Sequence, residues 1–101
     1  MTILANVERG ALLLDDNMPG WADKIDLDRL NIAVGSLCIL GQLFSPEVEE
    51  DWMGFSQGMT RLLGDENDTY AEAVYHGFDG EPGDYHGLTL AWECEIINRL
   101  P

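Results

Sequence analysis

The sequence predicts a mostly α protein: a single compact domain, residues 1–101, of four to six short helices. Three observations predict it. Apolar residues recur at three- and four-residue steps in several separate segments, helix start and stop signals fall between those segments, and only one stretch alternates in the manner of a strand. That stretch, Asp26–Ile32, leaves one short strand pair, and so an α+β arrangement, as the alternative. The 101 residues are 46% apolar and 24% charged, which supplies enough apolar side chain for one core and too little chain for two domains.

Taken in order, Ile3, Val7, Ala11, Leu14 and Met18 share one helical face, and Pro19-Gly20 stops that helix. Trp21–Ile25 adds one further helical turn. Leu37–Phe44, capped by Ser36, is apolar nearly all round and is the expected central core helix. Ser45-Pro46 followed by Glu47, Glu49 and Glu50 starts the next helix, with carboxylates on the positive end of its dipole. Trp52, Phe55, Met59, Leu62 and Leu63 continue it to Gly64, and Gly54 and Gly58 weigh against a single straight helix. Thr69-Tyr70-Ala71-Glu72 matches a capping box, opening a helix that reaches His76 and closes at Gly77. Phe78–Gly87 reads as a loop. Leu88–Leu100 forms the last helix, with Leu88, Ala91, Trp92, Ile96 and Leu100 on its inner face and Glu95 paired to Arg99.

The charge is the strongest signal for function. Five Lys and Arg stand against 19 Asp and Glu, a formal charge of −14. Residues 1–44 carry a net −3 and residues 45–101 a net −11, so the excess belongs to the C-terminal half. Direct binding to nucleic acid, which runs on Lys and Arg neutralising phosphates, is disfavoured, and so is an anionic membrane surface. The uncharged stretch Ile32–Pro46 falls short of the ~20 apolar residues of a bilayer span. The opening residues lack the basic flank and apolar block of a secretory signal, which predicts a cytoplasmic protein. Cys38 and Cys94 lie in apolar runs and are expected as free, buried thiols.

Tests for catalytic chemistry come out weakly. Asp79-Gly80-Glu81-Pro82-Gly83-Asp84 puts three carboxylates in a glycine-containing loop but fails the calcium-hand pattern, which needs a Glu where Leu90 stands. His76, His86, Cys38 and Cys94 lack the close spacing of a zinc site, and neither thiol sits among bases that would activate it. No phosphate-binding glycine loop occurs. The sequence therefore predicts no catalytic residue, no metal ligand and no cofactor. A metal-dependent enzyme or regulator built on the Asp79–His86 loop is the minor alternative.

The remaining candidates are the acids themselves and one aromatic. Asp65, Glu66, Asp68, Glu72, Asp79, Glu81 and Asp84 form a base-free run suited to meeting a basic protein surface, the alternative being a solvated face that serves solubility alone. Trp52, directly after Glu49-Glu50-Asp51, is a candidate interface anchor, whereas Trp21 and Trp92 belong to the core.

Read as blocks, Met18-Pro19-Gly20-Trp21, Ile25-Asp26-Leu27-Asp28, Cys38–Phe44, Tyr75-His76-Gly77-Phe78 and Leu88-Thr89-Leu90-Ala91-Trp92, with Glu95-Ile96 and Arg99, resemble a group of small uncharacterised acidic proteins of actinobacteria and their phages. The resemblance spans Gly10 to Arg99 and implies a setting, a phage-type accessory protein inside a bacterial host, without assigning a role to any residue. Together these features predict a protein that binds a host or phage partner bearing a basic surface, inhibiting it or imitating nucleic acid. An oligomeric or scaffold-associated component is the structural alternative.

Overall fold

The computed structural model describes residues 3–34, 37–44, 51–64 and 69–100, with residues 51–56 and 82 described by backbone alone. Five α-helices, and no strand among the described residues, build a mostly α domain: α1 (Ile3–Asn17), α2 (Ile39–Phe44), α3 (Asp51–Leu63), α4 (Tyr70–Tyr75) and α5 (Tyr85–Arg99). The radius of gyration is 12.1 Å, close to the ~13 Å of a compact chain of this length.

Helix α1 has the predicted inner face, with Val7, Ala11 and Leu14 buried, and Gly20 takes the left-handed turn (φ 85°) after Pro19. A 3-10 turn, Trp21–Lys24, follows and drives Trp21 into the core. Helices α1 and α5 run side by side in the same direction. Ile3 lies beside Gly87 near their starts and Asp15 bonds Arg99 near their ends, pairs separated by the same number of residues.

The Asp26–Ile32 stretch is not a strand. Its backbone amides are taken by side chains: Asp26 N donates to Gln42 Oε1 (2.6 Å), Asp28 N to Asp26 Oδ1 (3.1 Å) and Ile32 N to Thr89 Oγ1 (3.1 Å). Tight turns fill the remainder, so no extended partner is needed, and Leu30 and Ile32 still bury their side chains. The apparent alternation reports which turn residues face inward. This overturns the α+β alternative.

Helix α2 is the buried core element expected, with Ile39, Leu40 and Gly41 enclosed; it begins at Ile39, and its expected cap Ser36 lies outside the described residues, as do Ser45–Glu50. Gly54 and Gly58 do not interrupt α3, which is continuous from Asp51 to Leu63. A Cβ on Gly58 would lie 2.8 Å from Phe44 and 3.1 Å from Leu40, so this glycine is a contact point between α2 and α3.

Thr69 caps α4 as predicted, its hydroxyl accepting from Glu72 N (3.2 Å), and Gly77 (φ 72°) closes it. At this point the chain presses on α1. A methyl at Gly10 would overlap the His76 carbonyl oxygen, and one at Gly77 would lie 2.7 Å from the Val7 backbone. The contact sets an aromatic column across the molecule: His76 stacks on Phe78, Phe78 on Trp92 (5.6 Å, 11° between planes), and Trp92 meets Trp21 edge-on at 5.8 Å. Trp92 Nε1 donates to the Gly77 carbonyl (2.7 Å), satisfying a buried indole.

The last helix starts at Tyr85, three residues earlier than predicted, because a 3-10 turn, Pro82–Asp84, leads straight into it and shortens the loop. Leu88, Ala91, Trp92 and Ile96 form its inner face as expected; Leu100 lies beyond the helix and is exposed. Cys38 is buried, with Sγ accepting from Gly41 N (3.3 Å) and its acidity weakened by burial. Cys94, expected inside, is exposed. Among the described residues no helix is long and apolar enough to cross a membrane.

The Gly10 contact makes a direct prediction. Gly10→Ala is expected to cost about 3 kcal/mol or more in urea unfolding, as overpacking against a fixed backbone does. Gly83→Ala, where an added Cβ meets open space, should stay within about 0.5 kcal/mol of the parent.

Candidate functional site

The site is built where α4, the 78–84 segment and the start of α5 meet. The segment seats closely on α5 at Gly80, where a Cβ would lie 2.8 Å from the Leu88 Cδ1 methyl. Asp79 then reaches inward, with Oδ1 accepting from Gly80 N (2.8 Å) and from the Tyr85 hydroxyl (3.0 Å). Asp84 Oδ2 accepts from Glu81 N (3.2 Å), closing the 3-10 turn ahead of α5. Carboxylates at a helix start sit on the positive end of its dipole, so local structure explains why this acidic loop holds together despite its charge.

Tyr70, at the start of α4 and 54% exposed, completes the group. Desolvation, then the nearby charges of Glu81, Asp79 and Asp84, push its phenol above the usual 10. Desolvation, the hydrogen bond to Asp79 and the same negative field push Tyr85 up as well. The result is a surface of three carboxylates and two phenols held neutral at physiological pH. It can accept hydrogen bonds and ion pairs from cationic groups and offers an exposed ring for cation–π contact.

Of the sequence-predicted residues, Asp79, Glu81 and Asp84 are brought together here. Glu72 is in the first turn of α4, where its carboxylate comes 3.8 Å from His76 Nδ1, and the His76 ring nitrogen also bonds the Glu72 carbonyl (2.9 Å). Asp65, Glu66 and Asp68 lie outside the described residues, and Trp52 is in α3 with its side chain outside them. The tyrosines were missed. Tyr85 falls six residues after Asp79, a spacing that means nothing until the 3-10 turn folds the segment back. Among the described residues no group of three or more His, Cys, Asp or Glu is arranged to hold a metal ion.

A second charged constellation closes the far side. Arg99 grips Asp15 with two bonds (2.9 and 2.8 Å), holds Glu95 through the carboxylate (3.0 Å) and the carbonyl (2.9 Å), and lies 5.6 Å from the Trp21 ring. The Glu95–Arg99 pair was legible from helical spacing; Asp15 was not. Arg99 lowers the Asp15 carboxyl below its ordinary 3.8, against the opposing effect of partial burial, and Trp21 Nε1 adds a bond of 2.9 Å. At the other end Arg9 lies 3.9 Å from the Tyr75 ring centre and bonds the Tyr75 carbonyl and Asn6. Both arginines are thus occupied by internal contacts, and from Leu62 to Asn98 the chain holds nine acids and no Lys or Arg. Compared with known protein families, curated proteins and solved structures, the chain matches none.

Two measurements check this geometry. A spectrophotometric titration should show Tyr70 and Tyr85 ionising above pH 10, with Tyr85 moving back down in Asp79→Asn. Because Asp15 titrates lower in the folded than in the unfolded chain, its stabilisation is present above pH 3.8 and lost as the pH falls through the folded value. Asp15→Asn should therefore cost about 1 kcal/mol at neutral pH, a figure discounted for the partly exposed pair, and flatten the acid limb of the stability curve.

Proposed function

We propose that the protein acts by binding another protein rather than by catalysis, its acidic C-terminal half occupying a basic, nucleic-acid-binding surface of a host or phage protein. Its carboxylates stand in for phosphates and compete for the same Lys and Arg side chains. The observation that carries this reading is the base-free acidic run from Leu62 to Asn98, with Asp79, Glu81 and Asp84 gathered around Tyr70 and Tyr85. A net charge of −14 exceeds the magnitude of about 2–8 that suffices for the solubility of a small domain. Complementary charge of this density steers encounter and raises the on-rate more than it deepens affinity. The bacterial and phage setting comes from the sequence resemblance, and the reading makes the protein a small accessory factor of that kind.

The test is a pull-down from actinobacterial lysate at low and high salt with identification of the retained proteins. Nucleic-acid-binding proteins with basic surfaces should be held at low salt and released as ionic strength rises. The triple variant Asp79→Asn, Glu81→Gln, Asp84→Asn keeps the hydrogen-bond acceptors and removes three charges, so it should retain less of them. Retention of neutral or acidic partners alone, or of none, contradicts the reading.

A further inference from the structure

We draw no further inference here: the strongest candidate, the cleft of about 220 Å³ where the ends of α1, α2 and α3 meet, lined by Met18, Phe44 and Leu62 with Asn17 and Arg61, is an open and largely apolar groove, and nothing in the structure shows what covers it.

Discussion

The structure depends on the absence of a side chain at Gly10. Only there does the α1 backbone let the end of α4 come close enough for the His76 carbonyl to rest on it, and Gly77 reverses the chain at the same contact. From that reversal Phe78 enters the core, stacks between His76 and Trp92, and carries the column on to Trp21. Each aromatic pair adds about 0.5–1.5 kcal/mol beyond its buried area, but the geometry of the column is set by the backbone approach that precedes it. At one end Tyr75 meets His76 edge-on at 5.2 Å with Arg9 over its ring, and at the other Arg99 lies by Trp21.

This arrangement shapes the surface charge. A chain with 5 basic residues commits Arg99 to Asp15 and Glu95 and holds Arg9 against Tyr75 and Asn6. The acids are tolerated because several have local work: Asp84 and Asp79 order the turn before α5, and Asp15 and Glu95 share one guanidinium. The same fixation that makes the acidic loop affordable in structural terms orders it, as the binding role we propose requires. Rigid presentation lowers the ordering cost of binding.

Much of the fold was legible because its signals are local. The face of α1, the Pro-Gly stop, the Thr69 cap and the inner face of α5 each follow from residues within a few positions of one another. What sequence reading missed depends on distant contacts. Gly58 reads as a helix breaker until Leu40 and Phe44 are seen packed against it, and Asp26–Ile32 reads as a strand until Gln42 and Thr89 take its amides. Asp15 and Arg99 stand 84 positions apart, beyond any periodic pattern. The candidate site was half legible: the sequence picks out Asp79, Glu81 and Asp84, and only the folded segment adds Tyr70 and Tyr85. Cys94 was misplaced because an apolar run does not say which of its members face inward, and α5 is apolar on both sides.

The central claim is that the 78–84 segment is part of the rigid core and presents its acids in a fixed arrangement. Native-state hydrogen exchange of the Phe78 amide, which donates to the Ala73 carbonyl (2.9 Å), tests this most directly. If the claim holds, Phe78 exchanges only through global unfolding, with the same free energy as the amides of Trp92 and Ile96 in α5. Exchange of Phe78 by local opening, at a much lower free energy than α5, would contradict it.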